Sequence, residues 1–342
     1  MVGLLGCQPH LPELEANGER VAVGVHGEVE LCAGTLRAFD EQVSMVETEL
    51  GITRDPDEPL RVYVVDDTAP WCKDVMACYI GGWVDATFVP SYAPRSVWHE
   101  LVHQVVSGSD LGMTDRFLSE GLAGTLGDDW CPPAGTQWPQ PPLSQLLAQD
   151  DVAYEHYPRA AQLVDYLRQE HGTPALVRLI DCIERGDPIE AVDQCMETVL
   201  GIDLTTLDEQ FSEAAPPLHG NPALCGGDPV PWQSDTWVHE AMLACGDDEV
   251  INTFRSPHGR ETAALVDFAE AGSYEVTLES DGDATLEIEP CFCLEQGGEL
   301  LHRPLSNIIG VGQPGRYRIV FRTDDPATTR VRVSVRPGPG PS

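Results

Sequence analysis

The sequence predicts an α+β chain, with a mixed strand-and-helix unit over residues 18–215 and an all-β sandwich over 233–336. Three observations carry that prediction. Before Pro216, most apolar residues recur at three- and four-residue steps; beyond it they alternate in short segments. The stretch between, Pro216–Trp232, is rich in Pro and Gly and reads as a linker. At 342 residues the chain is long enough for two units, each with its own core.

The elements follow in order. Residues 1–17 form a polar leader, expected to be the remnant of an export signal and a tether. Arg20–Val25 alternates like a strand. A helix is expected over Thr35–Leu50, where Leu36, Phe39, Val43, Val46 and Leu50 share one face and Gly51 stops the run. Leu60–Val65 is rich in β-branched residues and reads as a strand. Trp71–Pro90 holds Gly81-Gly82 and the apolar run Trp83, Val84, Ala86, Phe88, Val89, which predicts strand pairing around a small loop. Helices are expected over Pro94–Val106, Phe117–Leu126, Pro158–His171, Pro174–Arg185, Pro188–Leu200 and Leu204–Ala214, several of them opened by a proline. Asp128–Pro142, with five prolines and two tryptophans, reads as an irregular loop. In the second unit, strands are expected over Ala263–Phe268, Tyr274–Leu278, Thr285–Glu289, Tyr317–Phe321 and Arg330–Val335, ahead of a disordered tail at 337–342.

Charge excludes several functions. With 56 acidic against 20 basic side chains, the net charge of -36 repels nucleic acid and anionic membrane surfaces. Charge-driven disorder is excluded too, because 42% of residues are hydrophobic. One lysine, Lys73, stands among the basic residues, an arginine bias that fits GC-rich coding better than a function. Six arginines between Arg316 and Arg336 make a cationic island, expected on the solvent face of two strands and paired with nearby acids. The Asp281-Gly282-Asp283 run reads as a polar hairpin turn rather than a calcium loop.

Eleven cysteines are dispersed without a C-x-x-C pair, which argues against a zinc ribbon and for disulfides in an oxidising compartment. Cys182 and Cys195 fall on consecutive expected helices and make a plausible bridge, while Cys291 and Cys293 could pair with Cys225 and Cys245 in either order. Leu4-Leu5-Gly6-Cys7 resembles a bacterial lipobox, which implies lipidation of Cys7 and leaves ten cysteines for five bridges. The short segment before it lacks a full signal's charged and apolar regions. No other stretch is long enough to span a bilayer, so membrane contact is expected only through a lipid on Cys7. The expected location is exported: the outer membrane, a periplasm-facing lipoprotein, or secreted. A monomer is expected.

The chemistry-bearing residues are His99-Glu100-Leu101-Val102-His103. Four residues apart on a helix, the two imidazoles lie on one face and can reach one ion, with Glu100 beside it as a proton acceptor. Two such histidines also occur simply solvated or satisfied in a core, so a third ligand decides. Phe117–Leu126 offers Glu120 on a face shared with Ala123, Gly124 and Gly127, small residues that let one helix lie close to another. Two histidines, a glutamate and an open position form a catalytic zinc pattern.

His-Glu-x-x-His followed by the Leu118-Ser119-Glu120-Gly121-Leu122-Ala123 helix resembles the gluzincin metallopeptidases, especially the peptidase-MA-like group. The resemblance implies a zincin-like first unit and zinc-dependent hydrolysis of a peptide or protein substrate. It implies His99, His103 and Glu120 as zinc ligands and Glu100 as general base and acid. Trp83, Ala86 and Phe88 would lie on an edge strand that pairs with the substrate backbone. Tyr154, His156 and Tyr157 are candidates for donating to the oxyanion, with Tyr157 preferred. The sandwich resembles small β domains appended to secreted bacterial peptidases through its Gly272-Ser-Tyr274 and Gly315-Arg-Tyr317 strand starts. Two departures stand out. There is no Gly-x-Met-Glu-Asn stretch, which favours an endopeptidase over an aminopeptidase. Position 124 is glycine, so a carboxylate that often supports a ligand histidine is missing. The alternatives are a weak or inactive gluzincin-like binding protein, and an envelope lipoprotein that binds a partner or glycan through its sandwich.

Overall fold

The computed structural model of the chain describes residues 11–27, 29–55, 57–72, 77–82, 84–90, 96–111, 114–127, 141–147, 149, 151–214, 225–253, 256, 258–291 and 308–338. Runs of valine and other β-branched residues make the inner strands of a five-stranded mixed sheet. In it β1 (Ala16–Asn17) pairs antiparallel with β2 (Val21–Val25), and β2, β3 (Leu60–Val65) and β5 (Ala86–Pro90) run parallel. The β4 strand (Cys78–Ile80) closes the far edge, antiparallel to β5. Parallel neighbours need a crossover, and α1 (Ala33–Leu50) supplies the one between β2 and β3. Gly51 ends α1 in the left-handed region, at φ 64°, its N–H returning to Glu47 and Thr48 carbonyls.

The sheet has two covered faces. On one, α1 and α3 (Ser96–Ser107) bury Val62, Val64 and Val89. On the other, Tyr63, Val65, Ala86 and Phe88 pack with Leu11, Leu14, Trp71 and the Cys72–Cys78 disulfide, after the short α2 (Ala69–Cys72). Phe88 stacks between Tyr63 and Trp71. Residues 11–17 are therefore part of the fold, not of a tether, because their leucines cover a face that would otherwise be wet.

The helices α4 (Arg116–Leu126), α5 (Leu143–Leu146), α6 (Tyr157–His171), α7 (Thr173–Cys182), α8 (Ile189–Leu200) and α9 (Leu204–Ala214) complete the first core. As expected, Cys182 on α7 bridges to Cys195 on α8. The expected Pro174–Arg185 helix stops early, at Cys182, where the chain turns to extended backbone at Ile183 and Glu184 bridges to Thr114.

The second unit is two four-stranded antiparallel sheets. One has the order β10-β12-β8-β7, the other β11-β9-β13-β6, where β6 is Trp237–Leu243, β7 Ile251–Asn252, β8 Arg260–Phe268, β9 Gly272–Ser280, β10 Ala284–Pro290, β11 Ile308–Val311, β12 Gly315–Thr323 and β13 Thr329–Pro337. Inward residues of both sheets, from Trp237 to Val335, share one core. Val230 and Trp232 pack against it, and the Trp232 indole donates to the Asp267 carbonyl, so the end of the expected linker belongs to this unit. Pro337, placed in the tail by its sequence, ends β13. Each of the six arginines meets an acid, but Arg318 is buried against Glu289, and Arg322 is largely buried among Glu261, Glu287 and Glu289 rather than solvated.

Among the described residues, disulfides also join Cys225 to Cys291 and Cys32 to Cys245. The second bridge corrects the expectation that Cys245 would pair with Cys291 or Cys293; the Asp247–Asn252 segment docks on the start of α1 and brings the two sulfurs together. Cys7, Cys131 and Cys293 lie outside the described residues. Several disulfides point to an oxidising, extracytoplasmic location. No described helix is long and apolar enough to cross a membrane.

Candidate metal centre

Helix α3 is buried continuously from Val97 to Val106, so both histidines project from a helix held by packing. Gln104 pins the helix to the β4–β5 hairpin: the Thr87 hydroxyl donates to Oε1 at 3.0 Å, and Nε2 donates to the Asp85 carbonyl at 3.2 Å. Helix α4 is started by Asp115, whose carboxylate accepts from the Phe117 and Leu118 N–H groups at 2.9 and 3.3 Å. It then lies very close to α6. A Cβ on Gly121 would stand 2.5 Å from the Ala160 carbonyl oxygen, so a side chain at 121 would force the helices apart.

These contacts bring His99, His103 and Glu120 to one point. The two Nε2 atoms are 3.1 Å apart, and Glu120 Oε2 stands 3.0 Å from that of His99 and 3.5 Å from that of His103. Glu120 is 1% exposed. One atom from each residue lies within 4.8 Å of the others, and together they could hold a metal ion. Two imidazoles and a carboxylate suit several divalent ions. Ser119 Oγ stands 3.0 Å from His103 Nδ1, fixing the orientation of that ring. Arg116 Nη2 contacts Glu120 Oε1 at 2.7 Å, an ion pair whose angle departs from hydrogen-bond geometry.

Charge at the centre is strongly shaped by the surroundings. Burial pushes Glu120 up, but hydrogen bonds and charge from His103 and His99 reverse this and hold its carboxyl well below the usual range. Glu100 is raised, first by burial, with the histidines and the Tyr79 backbone N–H opposing. Tyr157 is also raised, by burial and by the negative charge of Glu120. Its ring lies nearly parallel to that of His99, centroids 5.9 Å apart. Tyr154 packs on Tyr157 and is 64% exposed, while His156 is buried with no hydrogen-bond partner at Nδ1.

The expected substrate strand is corrected. The β5 strand is not an edge: β3 pairs with it on one side and β4 on the other. Ala86 and Phe88 are fully buried and face away from α3, since alternate positions Thr87 and Val89 face toward it. Trp83 and Cys7 lie outside the described residues. The sequence alone does not mark Arg116 or Ser119 as partners of the ligands, although Arg116 stands four residues before Glu120 on the same helix face. No protein-family model matches this chain, and no curated protein matches it.

Proposed function

We propose that this protein is an exported zinc metallopeptidase with a zincin-like, gluzincin-type first unit, acting as an endopeptidase. The convergence of His99, His103 and Glu120 beside Glu100 carries this reading. Zinc ligands about 2.0–2.1 Å from one tetrahedral centre stand about 3.3 Å from each other, and the separations of 3.0, 3.1 and 3.5 Å bracket that spacing.

His99, His103 and Glu120 would hold the ion, which when bound supplies Lewis-acid polarisation of a substrate carbonyl and acidifies water. Glu100 takes the proton of the attacking water and returns it to the leaving amine. Its burial raises its affinity for that proton. Tyr157, protonated and stacked on His99, donates to the developing oxyanion. Cys7 remains the proposed lipid anchor, a point that the mass of the mature N-terminal peptide tests directly.

The purified protein should contain one zinc per chain by elemental analysis. A diverse peptide library should show cleavage that EDTA abolishes. Glu100→Gln should keep the zinc and lower kcat/KM roughly 10²–10⁴-fold. Absence of stoichiometric zinc removes the reading; zinc without EDTA-sensitive cleavage leaves a binding protein on the same scaffold.

A further inference from the structure

The Glu120 carboxylate divides its oxygens. Oε2 is turned to the two imidazoles, and Oε1 is in contact with the Arg116 guanidinium at 2.7 Å. An i,i+4 pair of this kind on a helix surface is worth little. Here the carboxylate is 1% exposed while the arginine side chain keeps 36% of its exposure, so a cation reaches from the site's rim into its floor. One turn further along α4, a Cβ on Gly124 would lie 3.0 Å from that of Ala161 on α6, so the two helices stay close-packed there.

We propose that Arg116 is a positioning residue that makes Glu120 a one-oxygen ligand and so keeps a coordination position open for substrate. The inference rests on the metal-site reading above. A carboxylate free to rotate can place both oxygens on an ion and fill the position that a catalytic centre leaves vacant. Arg116 opposes that rotation, because bringing Oε1 to the ion would break its contact with the guanidinium. Ser119 acts alongside it on His103, so two ligands are oriented from the first turn of α4, the turn that Asp115 caps.

Cobalt(II) is a suitable probe, since its visible absorption weakens as its coordination number rises. The full chain, Arg116→Gln and Arg116→Lys would each be loaded with one equivalent, and the melting temperature of the metal-free forms would report folding. All three should bind one cobalt. Arg116→Gln should absorb several-fold more weakly than the native protein, and Arg116→Lys should restore most of the intensity. An unchanged spectrum in Arg116→Gln overturns the proposal. So does a folded Arg116→Gln that binds no cobalt, because the arginine would then hold the carboxylate in the site altogether rather than select one oxygen. A native protein that takes up neither cobalt nor zinc sinks the metal site itself, a distinct result. If Arg116→Gln does not fold, a crystal structure of the native zinc-loaded protein decides: Oε1 on Arg116 and Oε2 alone on the ion supports the proposal, and both oxygens on the ion refutes it.

Discussion

Tyr157 packs with its ring nearly parallel to that of His99, and burial together with the negative charge of Glu120 keeps its hydroxyl protonated. Removal of that hydroxyl separates its two conceivable roles. If it donates to the oxyanion of the proposed peptidase, Tyr157→Phe should lower kcat roughly 10²–10³-fold while KM and zinc content stay near native values. If it merely packs, kcat should be unchanged. The residue scale also shows what the sequence conveys and what it hides. His99, Glu100 and His103 were legible because helical spacing alone puts both imidazoles on one face. Glu120 was legible from the small residues around it. Arg116 was not, since one arginine four residues from a glutamate looks like any solvated pair until burial is known. Ala86 and Phe88 were misread for a different reason: alternation places them on a common face but does not say which side of the sheet carries α3.

At the scale of the element, α4 presents Glu120 and its first turn begins at a buried acid. Burial pushes Asp115 up to about 6, against three backbone N–H groups and the charge of Arg185, which act to lower it. A carboxyl whose folded pKa is raised binds its proton more tightly in the native state than in the unfolded chain. Its contribution to stability is therefore full below the ordinary value of 3.8 and is lost as pH rises through about 6. Asp115→Asn keeps a side-chain acceptor at the cap and removes the titration, so urea unfolding between pH 4 and 7 should show a flatter dependence than native protein. Parallel curves for the two proteins would contradict this. Asp115→Ala, which removes the acceptor as well as the titration, should be about 1 kcal/mol less stable than Asp115→Asn throughout that range. Helix extents were largely legible here: the sequence placed α4 over Phe117–Leu126, one residue short of Arg116–Leu126. The edge strand was not legible. The β4 strand spans three residues, Cys78–Ile80, too short to show an alternating pattern, yet it is the strand that closes the sheet beyond β5.

For the whole molecule, the joint between the two units is the feature that local pattern could not reveal. The α1 helix has no side-chain cap of its own. Its first donors are satisfied from more than 200 positions away: Asn252 Oδ1 accepts from the Cys32 N–H at 2.8 Å, and the Cys245 carbonyl accepts from the Ala33 N–H at 2.9 Å. Thr35 and Asn252 exchange two further bonds of 2.8 Å, one through the Asn252 N–H. Gly34 allows this approach, since a Cβ there would stand 2.6 Å from the Asp248 and Val250 carbonyl oxygens. The Cys32–Cys245 disulfide locks the same point across a separation of 213 residues, against 13 for Cys182–Cys195. If loop entropy in the unfolded chain governs, opening the long bridge by Cys32→Ser with Cys245→Ser should cost about 5 kcal/mol and opening the short one about 3 kcal/mol. Asn252→Ala leaves the buried Cys32 N–H unsatisfied and should cost about 1–3 kcal/mol alone. Both devices hold one joint, so their losses should not add. With the disulfide gone the joint is already loosened, water reaches the α1 terminus, and Asn252→Ala should then cost less than in the oxidised protein. A double-mutant cycle by urea unfolding measures that difference, and strictly additive losses would show that the bridge constrains only the unfolded chain and leaves the native joint unchanged.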